Sequence, residues 1–450
     1  MDSVKKLSNG YYKNSYLIVE PMLAWATTTE FGIRVWSHNS ISVIPYFESR
    51  DDTLRNLYKA KLPQVSLSPD LPTVVSFGPI VSDFSDFLVG PPQTKTMLRL
   101  LTSTGCRHSQ GDIVLELHFD IPKYWAGPIQ PAVPDFQFNI FSCAKLLGDY
   151  ETEKKVFPYA LFRLWTKYSK TTDLNILLGD NIYLSEYQAD SQTGVVQRYK
   201  KLYAFEDLIG AWSVSPYSAV VDDHDIGVND VSLGGPSLNL LKRIFASMWP
   251  NNNENNISSL MWSFFRYDLS FIGLDCRSFS TEPGNPTSTI LGKDQLQWLR
   301  QTLYTIKKLY NNSFIFINTG IPFIRPRSVY FSNYPNDQKA IIDMIIEFNL
   351  KNVIFLSGSA HFSDVSKWEI GHGIVITEFI NSPMSTIARD AEDYKKFPPN
   401  PFLVPDTLLL GVNNFGTISI KGDYDRRNLE YKVVQPDGTI AYTYNIEQQI

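Results

Sequence analysis

From about residue 136 onward the chain keeps one repeating pattern: a strand-length apolar run, a polar end, then a segment of helical period. Leu174–Leu178, Ala219–Val221, Leu269–Leu274, Phe314–Ile317 and Val353–Leu356 are the apolar runs. Between the last three, Leu296, Leu299, Leu303 and Ile306 recur at helical spacing, as do Ile341, Ile342, Ile345, Ile346 and Phe348. Runs without polar alternation belong to strands buried on both faces, and strands that alternate with helices build a sheet covered by helices. The pattern predicts an α/β region, closed by a hairpin-type pair of strands at Gly416–Ile420 and Leu429–Val433.

The first 135 residues read differently. Leu17–Val19, Phe31–Trp36 and Asp112–Phe119 are strand-forming runs between polar turns, and Pro63, Pro69, Pro72 and Pro79 cut the middle into short pieces. This predicts an N-terminal β-sandwich domain over 1–135 that ends in an extended Pro-rich linker, Pro122 to Pro134, followed by a second domain over 136–450 that includes the C-terminal strands. Asn251–Asn256 reads as a polar loop.

Composition narrows the function classes. With 43% hydrophobic and 19% charged residues, the chain is outside the disordered class. A net charge of −5 and the lack of a basic stripe argue against a nucleic-acid partner. Cys106, Cys143 and Cys276 are too few, and odd in number, for a disulfide framework. A polar N-terminus and no apolar run of about 18 residues predict a soluble, cytoplasmic chain without a membrane span. Export by a route without a cleaved signal, or prior removal of a signal, is the exception to that expectation. Oligomeric state is open.

Polar residues gather just after the predicted strands, where open α/β sheets bind ligands. Asp180 closes one run and Tyr183 follows three residues later; a carboxylate and a phenol so placed can turn onto one hard metal ion, or form a capped strand-end turn. Asp222, Asp223, His224, Asp225, Asn229 and Asp230 crowd four carboxylates, an imidazole and an amide into nine residues, and like charges so close repel unless a cation holds them or the stretch is a solvated acidic loop. His361 follows a Gly turn after Val353–Leu356, either as a ligand or as a structural histidine. Cys143 lies at an apolar strand and read alone is a small buried hydrophobe. Arg277, after Leu269–Leu274, either holds a phosphate through its planar fork or makes a sheet-end ion pair.

In this order the motifs FSCAK, LLGDNIYLSEY, VVDDHDIGVND, FIGLDCRSFS followed by LGKDQLQWL, and LSGSAHFS, with PMLAWATTTEFGIRVW (Pro21 to Trp36) ahead of them, resemble the alkaline phosphatase D (PhoD-like) branch of the metallophosphoesterases. The resemblance covers roughly Phe136 to Pro383, and the acidic stretch is its most specific element. It implies a two-sheet sandwich flanked by helices, and a hydrolase that cleaves phosphate monoesters or diesters of small molecules by metal-activated hydroxide. It implies two or more metal ions, Fe(III) with Ca or another divalent ion (Mn, Mg or Zn). By position, Asp180 would bridge the metals, Tyr183 and Cys143 would bind the Fe(III)-like ion, Asp223 would take the place of an Asn ligand, and His361 would be a ligand. His224 would face the leaving-group oxygen as the acid, and Arg277 would lie near the phosphate.

Two positions depart from the family pattern. Ser359 stands where a carboxylate ligand is expected, which implies a changed metal, lower affinity, a ligand from elsewhere (Asp364 is near in sequence) or lost catalysis. Val221 replaces a Trp, a change of packing. The alternatives to an active hydrolase are a catalytically silent relative that binds a phosphorylated ligand or a partner protein, and a structural protein working through its N-terminal β-domain.

Overall fold

The apolar runs become strands of two six-stranded sheets, all of them inner except Ala219–Val221, which lies at the edge of the first. A computed structural model of the chain describes residues 4–6, 12–14, 22–26, 31–49, 59–61, 64–77, 94–102, 113–121, 132–146, 159–208, 210–227, 238–249, 251, 260–309, 314–327 and 330–450. Leu17–Val19, Pro79, Cys106, Asp112, residues 122–131 of the Pro-rich stretch, residues 252–256 of the polar loop, and Asn229 and Asp230 lie outside the described residues.

In the α/β region the first sheet is built from β1 (Phe136–Phe141), β2 (Leu174–Leu178) and β3 (Tyr217–Val220), which run parallel. The second contains β4 (Trp262–Arg266), β5 (Leu269–Gly273), β6 (Ile315–Thr319), β7 (Val353–Ser357), β8 (Asp364–Gly371) and β9 (Ile374–Ile380). The C-terminal β10 (Phe415–Lys421), β11 (Asn428–Val434) and β12 (Ile440–Glu447) return to the first sheet, giving the order β3-β2-β1-β10-β11-β12. The second sheet has the order β4-β5-β6-β7-β9-β8, with β5, β6, β7 and β9 parallel. The expected C-terminal pair is present as β10 and β11, and β12 adds a third antiparallel strand.

The two sheets pack face to face through aromatic side chains. Phe138 of β1 meets Phe271 of β5 and Phe316 of β6 edge-on at 5.3 and 5.1 Å between ring centroids, and Phe379 stacks on Tyr431 at 4.2 Å. Such contacts add about 0.5–1.5 kcal/mol per pair beyond the area they bury. Helices cover the outer faces: α1 (Ala160–Ser169), α2 (Gln192–Tyr203) and α3 (Leu238–Met248) over the first sheet, α4 (Gly292–Leu309) and α5 (Pro335–Glu347) over the second. Leu299, Leu303 and Ile306 of α4 and Ile341 and Ile345 of α5 are buried, as their spacing requires. The result is a helix–sheet–sheet–helix sandwich.

The N-terminal region is strand-rich. Ile41–Ser49 and Thr94–Thr102 centre a five-stranded sheet, and Met22–Ala26, Phe31–Val35 and Thr73–Phe77 form a three-stranded one. Arg34 joins this region to the α/β sandwich. Its Nη1 donates to the Met248 carbonyl at 3.1 Å, and its guanidinium lies 3.8 Å from the centre of the Tyr203 ring.

Candidate metal centre

Parallel strands of both sheets end at the same edge, and the site is built from the residues just past those ends. Cys143 follows β1 and Asp180 follows β2; the Cys143 amide donates to the Gly179 carbonyl at 3.2 Å and the Ala144 amide to that of Asp180 at 3.0 Å. Asp222 and Asp223 follow β3, and His361 follows β7 across the interface between the sheets. Two glycines let the strand ends come this close. Gly179 has φ 84°, and a Cβ there would sit 2.6 Å from the Cβ of Asp222. A Cβ on Gly358 would collide with the Leu178 carbonyl and lie 2.6 Å from the Cβ of Ser142.

Cys143, Asp180, Ser359 and His361 all have positive φ, between 52° and 62°. Non-glycine residues rarely adopt this conformation, and it clusters where a structure fixes side chains for function.

Asp180 is the centre of the arrangement. One donor atom each from Cys143, Asp180 and His361 lie within 4.8 Å of one another, and so do donors from Asp180, Asp223 and His224. The Cys143 thiol is 3.5 Å from Asp180 Oδ2, to which the Tyr183 hydroxyl donates at 3.0 Å. The His224 amide donates to Asp180 Oδ1 at 3.3 Å and to Asp223 Oδ1 at 3.1 Å, and its imidazole stacks on the Tyr183 ring at 4.2 Å. The structure thus brings Cys143, Asp180, Tyr183, Asp223, His224 and His361 into one cluster.

Burial decides the protonation of these groups. It pushes the Asp180 carboxyl well above its ordinary range, and the neighbouring Asp223, Asp222 and Asp225 push the same way. Burial, then Asp180, raises the Cys143 thiol and the Tyr183 phenol. His361 is driven down to about 3 by burial, with Arg389 and His224 adding to it, so its imidazole is neutral at pH 7. Acidic groups crowded out of water keep their protons unless a cation takes their place. A thiol, a phenol, carboxylates and a neutral imidazole form a donor set that fits metal ions, and this chain supplies all of them.

The rest of the acidic stretch has structural work. Asp225 Oδ1 accepts from the amides of Asn181 and Ile182 at 2.9 and 3.2 Å, and its Oδ2 from the Asp222 amide at 3.0 Å, which ties the loops after β2 and β3 together. Arg277 makes the sheet-end ion pair: its Nε and Nη2 lie 2.6 and 2.5 Å from Asp222 Oδ1, and its Nη2 3.8 Å from Asp223 Oδ1. Burial raises Asp222 to about 6 against the pull of Arg277. Desolvation works against the Arg277 charge, yet Asp222 and Asp223 hold the guanidinium above its ordinary value. Asp364 does not reach the cluster; it is buried in an ion pair with Arg325 at 3.2 Å.

Ser382 at the site carries no distinctive sequence signal, whereas Ser142 and Lys145 come from the FSCAK motif. Ser382, after β9, donates to the Cys143 sulfur at 3.2 Å and accepts from the His361 amide at 3.1 Å. Ser142 donates to the Asn381 carbonyl at 2.9 Å, and Lys145 Nζ stands 5.2 Å from the centre of the Tyr183 ring. The one available clue was position, since Asn381-Ser382 also follows an apolar strand.

Comparison with known structures places this geometry. A solved structure of PhoD superposes with a TM-score of 0.70 at 16% identity, covering 96% of this chain and 89% of that one. In fold, the chain is similar to PhoD. A purple acid phosphatase, PPD1 from yellow lupin (Lupinus luteus) seeds, has the same fold with a TM-score of 0.64 at 11% identity, over 95% of this chain and 74% of that one. In sequence, the chain is 25% identical over 292 residues to alkaline phosphatase D of Bacillus subtilis (strain 168), a match covering 53% of this chain. It spans about half (48%) of that curated relative's length. No protein-family model matches the chain. Among the described residues, no helix is long and apolar enough to cross a membrane.

Proposed function

We propose that this PhoD-like chain is a metal-dependent hydrolase of small-molecule phosphate esters, with the working unit in residues 136–450 and residues 1–135 as an accessory β-domain. The observation that carries the reading is that the Asp180 carboxylate belongs to both donor groups, as a carboxylate between two ions must. Cys143, Tyr183, Asp180 and His361 would hold one ion, of Fe(III) character given the thiol and phenol. Asp180 and Asp223 would hold a second, calcium or another divalent ion such as Mn, Mg or Zn. Held by these residues, metal ions would polarise phosphoryl oxygens and would supply a nucleophile from water near neutral pH.

The chain's own residues do the remaining work. His224 is the proton donor to the departing oxygen. Its backbone is fixed by Asp180 and Asp223 and its ring by Tyr183, so the imidazole has a set direction. Arg277 keeps Asp222 and Asp223 in place. Ser382 and Ser142 hold the Cys143 sulfur and the strand ends around it.

The test is release of the phenol from aryl phosphate monoesters and diesters by protein reconstituted with iron and several divalent metals, beside Asp180→Asn. Release abolished in the variant supports the reading. Release no greater than in the variant, for every ester and metal, overturns it. Ser359, which offers a hydroxyl where a carboxylate is expected, favours the second reading: a silent relative that binds a phosphorylated ligand. That reading predicts ligand binding with no turnover under any metal.

A further inference from the structure

Three arginines gather beyond the His361 turn. Arg325 is committed within the fold: it is fully buried, ion-paired to Asp364 at 3.2 Å, donates to the Tyr394 hydroxyl at 2.9 Å, and lies over the Phe362 and Tyr394 rings and, at 5.6 Å, the Phe397 ring, while its Nε and Nη2 have no hydrogen-bond partner. Arg327 and Arg389 are different. Both are half-buried, and both guanidiniums lie over the Phe397 ring, 4.8 and 4.9 Å from its centre. Arg327 Nη1 donates to the Tyr330 hydroxyl at 3.1 Å, and Arg389 Nε to the Ala360 carbonyl at 3.2 Å. Among the described residues neither forms an ion pair. A guanidinium carries five N–H donors in a rigid fork, so most of each fork is left for another acceptor.

Their place in the fold is specific. The Arg389 amide donates to the His361 carbonyl at 2.8 Å, which straps this arginine to the turn that carries the candidate ligand. Arg327 comes from the segment after β6, the strand beside β7. Two positive forks on one ring repel each other unless an anion lies between or across them. A phosphate or carboxylate oxygen pair is the shape such forks match.

We infer that Arg327 and Arg389 form a second anion subsite beside the His361 edge of the metal centre, one that takes a phosphate group of the substrate other than the one being cleaved. This rests on the phosphoester activity proposed above and narrows it to esters that carry at least two phosphates.

The experiment compares propane-1,3-diol bisphosphate with propyl phosphate as substrates, and the corresponding non-hydrolysable bisphosphonate with the monophosphonate as ligands in calorimetry. Metal-loaded wild type is set beside Arg327→Gln, Arg389→Gln and the double variant. The subsite predicts a kcat/KM and affinity preference for the compound with two phosphates on the order of ten-fold or more, which the double variant reduces to the statistical factor of about two. If Arg389→Gln melts early because it loosens the Ala360 turn, Arg327→Gln alone must still lower the preference. Turnover with the same preference in wild type and variants overturns the subsite and leaves the phosphoesterase reading intact. Arginine-dependent selective binding without turnover of any ester does the reverse.

Discussion

The Cys143 sulfur and the Asp180 carboxylate stand 3.5 Å apart at the ends of adjacent parallel strands, each on a backbone held at positive φ. Both groups are buried, and both are pushed toward their protonated forms. A pair of acids fixed in this way can ionise only if a cation takes the place of their protons. That is the physical argument for a metal at this place, and it leads to specific expectations.

Asp180 is shared by both donor groups, so Asp180→Asn is expected to lower metal content at both positions rather than one. The loss of electrostatic stabilisation is worth several kcal/mol of barrier, roughly a thousand-fold or more in turnover. Metal counting and phosphate release on the same sample check it; an Asp180→Asn protein that keeps its full metal content contradicts the shared role.

His224→Ala separates a proton donor from a ligand. As a donor, His224 is worth ~10²–10⁴-fold in rate, more for alkyl esters with poor leaving groups than for p-nitrophenyl phosphate, with metal content retained. Equal losses for both esters, accompanied by the loss of one ion, would make it a ligand instead.

Gly358→Ala puts a methyl group against the Leu178 carbonyl and the Ser142 side chain, between the two sheets. Backbone has to shift, at a cost of about 1–3 kcal/mol. A lower Tm together with weaker metal retention is expected, because the shift moves the strand ends that carry Cys143 and His361. An unchanged Tm would show that the sheet ends are looser than this packing implies.

Arg277→Met removes the partner of a buried carboxylate, and breaking such a pair costs about 3–5 kcal/mol. Urea denaturation should show this loss, and Asp222→Asn added to Arg277→Met should recover part of it by removing the orphaned charge. No recovery in the double variant would argue against the pair as the cause.

Metal uptake is expected to release protons and to tighten as pH rises. Asp180, Cys143 and Tyr183 are all raised, so each holds its proton until a metal displaces it. In the metal-free protein the folded state keeps the Asp180 proton where the unfolded chain has lost it, so this group makes stability fall as pH rises above about 4. His361, lowered to about 3, acts oppositely: the unfolded chain binds a proton that the folded one does not, and stability rises from about pH 3 to about 6.5. Calorimetry in two buffers of different ionisation heat reads the proton release directly. Uptake without proton release, with flat affinity between about pH 6 and 8, would contradict the burial argument.

Much of the sandwich was legible because fully apolar runs such as Leu174–Leu178 and Val353–Leu356 have few other homes, and the periods of α4 and α5 were regular. The site was legible where unusual residues crowd, as in Asp222 to Asp225. What the sequence did not reveal was the division of labour within that crowd. Asp225 accepts hydrogen bonds from neighbouring loops and Asp222 holds Arg277, whereas Asp223 faces Asp180. Chemically identical carboxylates receive different roles from loop geometry alone. Ser382, Arg327 and Arg389 were missed for a related reason: they reach the centre from loops distant in sequence, and nothing local distinguishes them from surface polar residues. Asp364, close to His361 in sequence, was turned away by its pairing with Arg325.

The most direct test of the central claim is a count of metal ions per chain in protein purified without chelators, compared with Asp180→Asn and Cys143→Ser. The account predicts at least two ions per chain in the native protein, loss at both positions in Asp180→Asn, and loss of the iron-type ion alone in Cys143→Ser. A native chain that carries no metal, and takes up none on reconstitution, would contradict it.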